Sequence, residues 1–267
     1  MVMKKRHNYN LIIGGVITAG MLLLILVGIF YVPYDPDKMD GTAKLAGVSW
    51  KHLMGCDQFG RDIFSRIMKG CGTTLFIAAG TVCIGTAGGI LLGAFTGYYG
   101  GILDEILMRI NDTVFAFPSI LLALVFVSLF GSGKYNIMLA LGIAFIPSFA
   151  RIVRSECIRC KEMDYIQSAK LVGAGNLRII FVHILPNTKT VLLSAVMIGF
   201  NNAVLAESGM SFLGIGVQPP EASLGRMLSE AQTYLFSNPG MAFFPGLMIL
   251  LLVLGFALLG EGLSGRK

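Results

Sequence analysis

The sequence contains few charged residues. Only 13% of its 267 residues are Asp, Glu, Lys or Arg, and 55% are hydrophobic, whereas about 25% of a soluble domain is charged. This composition excludes a soluble domain and predicts an integral membrane protein. The formal net charge of +6 does not indicate a nucleic-acid partner, because the basic residues lie mainly between apolar segments and at the chain ends, as in cytoplasmic loops.

The long apolar segments contain no Asp, Glu, Lys, Arg or His. Transporters driven by protons or sodium keep ionisable groups at membrane depth, so this absence argues against them. The polar residues nearest to that depth are Asn201 and Asn202, with Glu207 and Ser211 beyond them. They are candidates to line a translocation path, although hydrogen bonds between helices are the expected role of the asparagines.

No phosphate-binding loop and no cluster of catalytic residues occurs in the sequence. The nearest string, Gly131 to Lys134, lacks the first glycine and the hydroxyl residue of that loop. The three histidines are far apart, and the CxxC of Cys157 and Cys160 has no partner pair at zinc-ligand spacing. We therefore expect no catalytic residue, metal or cofactor on this chain.

Six uncharged windows meet or approach the length of about 20 apolar residues that a membrane-spanning helix needs. They are Leu11–Val32, Cys71–Leu103, Thr113–Gly133, Tyr135–Ala150, Thr190–Ala206 and Pro239–Gly260. The first is too long for the apolar core of a signal peptide, so we interpret it as an uncleaved span. Pro118 and Pro147 predict kinks in the third and fourth spans.

The distribution of basic residues predicts the orientation. With the N-terminus in the cytoplasm, 13 of the 21 Lys and Arg residues lie inside, as the positive-inside rule requires. They are Lys4, Lys5, Arg6, Arg109, the seven between Arg151 and Lys189, Arg266 and Lys267. Both termini are then cytoplasmic.

The second window has a glycine at every fourth position. Gly85, Gly89, Gly93 and Gly97 lie on one helix face, which lets another membrane helix approach closely. Ordinary tight packing is the expected role, and a pivot between helices is the alternative.

A polar segment, Tyr165–Asn187, separates the fourth and fifth windows on the cytoplasmic side. Its pattern predicts two short amphipathic helices around Gly173-Ala174-Gly175, with Asn176 capping the second helix and Pro186 ending it. The apolar positions are Tyr165, Ile166, Ala169 and Val172 in the first helix and Leu177, Ile180, Phe181 and Ile184 in the second. Spacing alone leaves two interpretations open: the helices lie on the membrane interface, or one docks into a groove on a soluble partner.

The same segment resembles the EAA loop of bacterial ABC importer permeases. Gln167-Ser168-Ala169 stand where that loop has EAA, Gly173 stands at its glycine, and Leu185-Pro186 at its final LP. Gln167 and Ser168 depart from the usual Glu and Ala, while the frame of helix, glycine, helix and LP is kept.

Three further stretches are similar to the dipeptide, oligopeptide and nickel permeases of that class. They are GCDQFGRDIFSRIMKG at 55–70, RINDTVFAFPSILLAL from Arg109, and SGMSFLGIGVQPPEASLGRMLSEAQ ending at Gln232. The match is nearest to the second, C-type, permease of the pair. It implies an all-α type I importer fold with six spans in a bacterial inner membrane, and a cargo of peptides, nickel or metal chelates.

The resemblance also implies partners and roles. The chain would form half of a permease heterodimer, with two cytoplasmic ATPases that carry ATP and Mg, an extracytoplasmic substrate-binding protein, and membrane lipid around it. Residues 1–70 would form the first span and an outer loop with an interfacial helix from Arg61 onward, and residues 71–267 the permease core, with the coupling loop at about 155–187. The implied ATPase-coupling residues are Tyr165, Gln167, Ser168, Ala169, Gly173, Gly175, Leu185 and Pro186.

Two other functions stay open at this point. An ion-driven secondary transporter would catalyse uptake as a single purified chain. A membrane scaffold would show no uptake with any partner, and the polar segment would be its docking site.

Overall fold

The computed structural model describes residues 2–264, with side chains from residue 9 to residue 263. Arg266 and Lys267, which the predicted orientation uses, lie outside the described residues, and the side chains of Lys4, Lys5 and Arg6 lie outside them as well. The helices are α1 (Val2–Phe30), α2 (Ile63–Tyr99), α3 (Gly101–Phe115), α4 (Ser119–Phe130), α5 (Lys134–Lys161), α6 (Asp164–Leu171), α7 (Asn176–Arg178), a π-helical segment (Ile179–Ile184), α8 (Leu185–Phe212), α9 (Leu224–Ala231), a 3₁₀ turn (Gln232–Tyr234) and α10 (Gly240–Ser264).

Five helical stretches are long and apolar enough to cross a membrane. They are α1 from Tyr9, α2, α5, α10, and the run from α7 through α8, which is continuous from Asn176 to Phe212. A sixth crossing is obtained if α3 and α4 are counted together. The predicted all-α membrane fold is therefore confirmed, with five crossings, or six when α3 and α4 count as one.

The third crossing is broken rather than kinked. α3 and α4 meet at 87°, and α4, with 12 residues, is only about 18 Å long at 1.5 Å per residue. Pro118 is the residue that precedes α4. A proline disfavours helical backbone at the residue before it, so the chain leaves the helix at Phe117. The prediction of one window from Thr113 to Gly133 with a kink at Pro118 was wrong in this respect.

The outer part of α2 also differs from the prediction. The carboxylate of Asp62 accepts a hydrogen bond of 2.8 Å from the backbone N of Ser65 and caps the helix, and α2 then continues unbroken to Tyr99. Ile63, Ile67 and Cys71 pack into a core with α1, α9 and α10. The interfacial helix predicted from Arg61 onward is therefore wrong, because these apolar side chains are buried inside the protein and do not lie along the membrane surface.

The helices after Glu207 differ as well. The apolar core, glycines and Pro pair of Ser208–Pro220 predict a re-entrant or interfacial helix, but in the structure the first residues of this stretch complete α8, and the chain from Leu213 to Pro220 is irregular. The short helix in this region is α9, which the hydroxyl of Ser223 caps by accepting a hydrogen bond of 3.2 Å from the backbone N of Arg226.

Candidate functional site

The helix α6 ends in a glycine turn that its own backbone closes. Gly173 has φ +82°, and its N–H donates to the carbonyl of Lys170 at 2.9 Å, while the N–H of Ala174 donates to the carbonyl of Ala169 at 3.0 Å. This pair of bonds is the Schellman arrangement, which favours glycine at the left-handed position. Gly173, which stands at the glycine position of the EAA loop, is therefore the residue that ends α6.

One face of α6 is anchored to the ends of the spans. Ile166 is fully buried, and burial raises the pKa of its neighbour Tyr165. The buried cluster around Ile166 comprises Ala94 and Tyr98 from α2, Val153, Cys157 and Cys160 from α5, and Ile179, Ile180 and Ile184 from the π-helical segment. A displacement of α6 therefore moves the cytoplasmic ends of three spans with it, because close-packed side chains transmit displacement.

The opposite face of α6 is exposed. Gln167, Ser168 and Lys170 are polar and exposed, and they are followed by Leu171 and Val172, whose exposed fractions are 89% and 88%. Val172 was predicted to share the packed stripe of Ile166, which is wrong because it lies at the C-terminal end of α6, beyond the cluster. Two fully exposed apolar side chains on an anchored helix form a surface suited to a protein partner. We call Gln167–Val172 the α6 tip.

Tyr98 connects this segment to the cytoplasmic end of α2. Its phenol donates a hydrogen bond of 2.9 Å to Oδ1 of Asn176, and the ammonium groups of Lys161 and Lys170 lie 5.6 and 5.9 Å from its ring centroid. Asn176 was predicted as a helix cap, but Gly175 precedes the helix and makes no side-chain cap. The side-chain amide of Asn176 instead accepts the hydrogen bond from Tyr98 on α2.

The second predicted helix is not a separate element. The chain passes from α7 through the π-helical segment into α8 without a break, and Pro186 lies in the first turn of α8, so it does not end a helix. A π-helical turn holds more residues than an α-helical turn and shifts the phase of every later side chain. Ile180 and Ile184 of the predicted stripe are buried, as is Ile179, whereas Leu177 and Phe181 of that stripe are exposed.

The four glycines of α2 face α5. A Cβ at Gly89 would lie 2.3 Å from Cβ of Phe149, and a Cβ at Gly93 would lie 2.4 Å from the carbonyl oxygen of Ala150. At Gly85 and Gly97 the nearest atoms of α5 would lie at 2.9 and 2.8 Å. Because only hydrogen fits at these positions, α2 and α5 are held together along this face.

A cavity of about 590 Å³ lies between the broken third crossing, α5 and α8. Its lining includes Phe117 and Ser119 at the break, Ser148 on α5, and Asn202 on α8, with no charged side chain among the lining residues. The break between α3 and α4 thus lies at the cavity wall, which agrees with the rule that irregular backbone at membrane depth lines protein or a cavity.

The structure separates the four residues proposed for a translocation path. Asn202 lines the cavity, but Asn201, Glu207 and Ser211 are not among its lining residues. Glu207 is fully buried and accepts a hydrogen bond of 2.7 Å from the hydroxyl of Ser211. Within the described residues the buried Oδ1 of Asn201 has no hydrogen-bond partner.

A buried ion network on the outer side contains residues of the stretch 55–70. Asp57 accepts a 2.6 Å bond from Nε of Arg61, and Arg61 donates from Nη2 to Glu230 on α9 at 2.9 Å. Arg66 is 1% exposed and lies 3.4 Å from the same Glu230. The sequence motif indicated family membership but not this network, whose partner on α9 is 169 residues away from Arg61. The network ties the loop between α1 and α2 to α9.

That outer loop also presents an exposed apolar surface. Trp50, the only tryptophan of the chain, is 99% exposed, and Val48 beside it is 68% exposed. Burial raises the pKa of the Cys56 thiol in the same loop to about 11. The Cys56 thiol is therefore neutral and packs inside the loop. The side chain of Trp50, in contrast, is accessible to a partner.

Comparison with known proteins now decides the family. The sequence model described as "Binding-protein-dependent transport system inner membrane component" matches residues 89–266. The chain belongs to this family. It is a non-catalytic permease subunit of the inner membrane, and permeases of this family work with ATPase and substrate-binding partners.

Curated relatives cover nearly the whole chain. The "Glutathione transport system permease protein GsiD" of Pectobacterium atrosepticum is 41% identical over 92% of this chain and 84% of its own length. The "Dipeptide transport system permease protein DppC" of Haemophilus influenzae is 38% identical over 97% of this chain and 90% of its own length. The permease class that the resemblance indicated is confirmed.

A solved structure shows the same fold. The MetNI methionine ABC transporter, in inward-facing conformations, superposes with a TM-score of 0.61 at 18% identity, covering 73% of this chain and 93% of the MetNI chain. At this identity the match establishes the type I importer fold alone.

Proposed function

We propose that this chain is one half of the permease of an ATP-driven peptide importer and that the α6 tip couples it to an ATPase. The observation that carries the proposal is the pair of exposed apolar side chains, Leu171 and Val172, on a helix whose other face is anchored through Ile166. A helix of this kind fits a groove on a soluble partner.

The proposed cycle is a rigid-body transition between two states. Closure of two ATPase subunits, which hold ATP and Mg, draws the α6 tips of two permease subunits together. The cluster around Ile166 passes this movement to α2, α5 and the helix that begins at Asn176. The spans then open toward an extracytoplasmic binding protein, and hydrolysis resets them.

The second permease subunit is a homologous chain, which makes the pore a heterodimer. Asn202, Ser148 and the broken crossing at Phe117 then line this chain's half of the path. Three residues near the path do not line the cavity and pack behind its wall: Asn201, Glu207 and Ser211. The lining contains no charged side chain, so the permease itself holds its cargo weakly and selectivity rests with the binding protein.

The cargo we propose is a short peptide. The relatives named for glutathione and for dipeptides support this assignment, because each aligns with more than nine-tenths of this chain. Both cargoes are small, water-soluble peptides, which a cavity with uncharged walls can pass without binding them tightly.

Reconstitution of the full complex tests the proposal. The chain is co-expressed with the second permease subunit and the ATPases, incorporated in liposomes, and supplied with the binding protein. Uptake of radiolabelled glutathione or a dipeptide is expected only when ATP is present on the side of the liposome membrane that carries the ATPases. Uptake by the chain alone under an ion gradient would overturn the proposal in favour of secondary transport, and absence of uptake by an assembled complex that hydrolyses ATP would overturn the peptide cargo.

A further inference from the structure

The carboxyl of Glu207, near the outer end of α8, is surrounded by hydroxyl groups. The side chain is fully buried, and it forms no ion pair with the residues that the structure describes. Its oxygens accept hydrogen bonds from the hydroxyls of Ser211 at 2.7 Å and Ser208 at 3.4 Å. The hydroxyls of Thr74 on α2 and of Ser223 also interact with it. An ionisable group at this depth is costly and indicates a role, and the cavity does not supply that role, because Glu207 does not line it.

The hydroxyl groups around Glu207 also hold the part of the chain that follows α8. Three of them accept a backbone N–H from it: Ser211 from Val217 at 3.1 Å, Thr74 from Leu224 at 3.2 Å, and Ser223 from Arg226 at 3.2 Å. A hydroxyl can donate its one proton and accept at the same time. Each of the three can therefore bond the backbone and the carboxyl together, so Glu207 orients the groups that hold residues 217–226.

Two glycines bring the same part of the chain into direct contact with α8. A Cβ at Gly225 on α9 would lie 2.2 Å from the carbonyl oxygen of Ser208, and a Cβ at Gly216 would lie 2.2 Å from Oγ of Ser211. Neither position has room for a side chain. The irregular segment and α9 therefore lie directly on the outer end of α8, and close-packed groups of this kind move together.

The helix α9 is attached to the outer loop as well. Glu230 near its end accepts a hydrogen bond of 2.9 Å from Nη2 of Arg61 in that loop. On α8, Glu207 is about 7.5 Å from the level of Asn202 at 1.5 Å per residue, and Asn202 lines the cavity. A continuous set of buried contacts thus connects the outer loop, which presents the exposed Trp50, with the cavity wall.

We propose that Glu207 is a positioning residue that makes the outer loop, α9 and α8 move as one body. The inference rests on the importer cycle proposed above. Docking of the extracytoplasmic binding protein on the outer loop then displaces α8, and with it the wall of the cavity. Coupling between distant sites is carried by packed side chains and hydrogen-bond networks of this kind. Glu207 itself touches no cargo, because it lies behind the cavity wall.

Stimulation of ATP hydrolysis by the binding protein, loaded with glutathione or a dipeptide, tests the inference. The complete complex is assembled in nanodiscs with Glu207→Gln, which keeps the size of the side chain but replaces one accepting oxygen with an NH2 group that can only donate. Hydrolysis without the binding protein is expected to be unchanged. The increase in rate that the binding protein causes should fall by about tenfold, because an unpaired buried polar group has a cost of this order.

Two neighbouring threonines on α2 provide a second variant with a matched control. Thr74→Val removes the hydroxyl that holds Leu224 and keeps the shape of the side chain, so the stimulation should fall. Thr74→Ser keeps the hydroxyl and should keep the stimulation. Thr73→Val is the control, because the Thr73 hydroxyl donates to the carbonyl of Lys69 in its own helix, at 3.3 Å.

Hydrogen exchange distinguishes transmission from stability. In the wild-type complex, docking of the binding protein should change the exchange of residues 224–231 as well as that of the outer loop. In Glu207→Gln and Thr74→Val, only the loop should respond. Unchanged stimulation together with an unchanged response of residues 224–231 in both variants would overturn the inference.

Two further outcomes are distinct from this one. Loss of ATP hydrolysis without the binding protein, or failure of both variants to assemble, would overturn the inference in favour of a role of Glu207 in folding alone. A wild-type complex without ATP-driven uptake would contradict the proposed function, while the response of residues 224–231 would still decide whether Glu207 connects the outer loop to α8.

Discussion

The phenol of Tyr98, at the cytoplasmic end of α2, donates a hydrogen bond of 2.9 Å to Oδ1 of Asn176, the first residue of the helix that becomes the fifth span. This contact joins the glycine-faced helix to the segment that bears the α6 tip. A movement of the tip therefore reaches α2 through a polar contact as well as through the apolar cluster around Ile166.

Replacement of Gly173 should uncouple the subunit. Gly173 has φ +82°, whereas Gly175 does not have a positive φ, and neither would bring a Cβ within 4 Å of other atoms. The two glycines thus differ in backbone strain alone, which costs about 1–2 kcal/mol for an L-residue in left-handed geometry. We expect Gly173→Val to reduce ATP-driven uptake by about tenfold or more while the membrane level of the subunit is kept, and Gly175→Val to retain uptake. Normal uptake by Gly173→Val would contradict the role given to this turn.

Side chains on the glycine face of α2 should destabilise the subunit. Gly93→Ala would bring a Cβ to 2.4 Å from the carbonyl oxygen of Ala150, and overpacking of this kind costs about 1–3 kcal/mol. Gly209→Ala on α8 is the matched control, because a Cβ there meets nothing within 4 Å. We expect a lower Tm in detergent for Gly93→Ala and an unchanged or higher Tm for Gly209→Ala. Equal Tm values for the two variants would show that α2 and α5 do not pack this closely.

The sequence predicts those features of the structure that depend on residues close together in the chain. The end of α6 is predictable because its last turn requires a glycine, Gly173. The burial of Ile166 is predictable from the spacing of the apolar residues in the helix. The π-helical segment was not predictable from a 3.6-residue period, because it depends on the packing of Ile179 and Ile180 against α2 and α5. The contact between Arg61 and Glu230 was missed for a similar reason, since the two residues are distant in sequence and only the fold brings them together.

Loss of Glu230 should loosen the outer loop. Glu230→Gln leaves the two nearly fully buried guanidinium groups of Arg61 and Arg66 to share one buried carboxylate, that of Asp57, and breaking a buried pair costs about 3–5 kcal/mol. Hydrogen exchange of residues 34–62 should therefore become faster. Glu221→Gln breaks the partly exposed pair with Lys134, for which a cost of only about 0–1 kcal/mol is expected. The prediction fails if both variants leave the exchange of this loop unchanged.

Trp50 should report the docking of the extracytoplasmic binding protein. It is the only tryptophan of this chain and is 99% exposed, and a buried tryptophan at an interface commonly contributes at least about 2 kcal/mol. Trp50→Ala is therefore expected to weaken binding-protein affinity by about 30-fold. Met39→Ala, an exposed apolar residue of the same loop, is expected to have little effect. Equal affinities of the binding protein for wild type and Trp50→Ala, measured by surface plasmon resonance on the assembled complex, would show that Trp50 is not part of the interface with the binding protein.

ATP-driven uptake by complexes that carry both Leu171→Asp and Val172→Asp tests whether the α6 tip couples the permease to its ATPases. Both side chains are nearly fully exposed, so the permease should keep its fold and its membrane level. We expect that the ATPases no longer copurify with the double variant and that peptide uptake falls to background. Met39→Asp, the same kind of change at an exposed apolar residue of the outer loop, should change uptake by no more than about twofold, as surface substitutions usually do. Full uptake by the double variant, with the ATPases still bound, would contradict the assignment of α6 as the coupling helix.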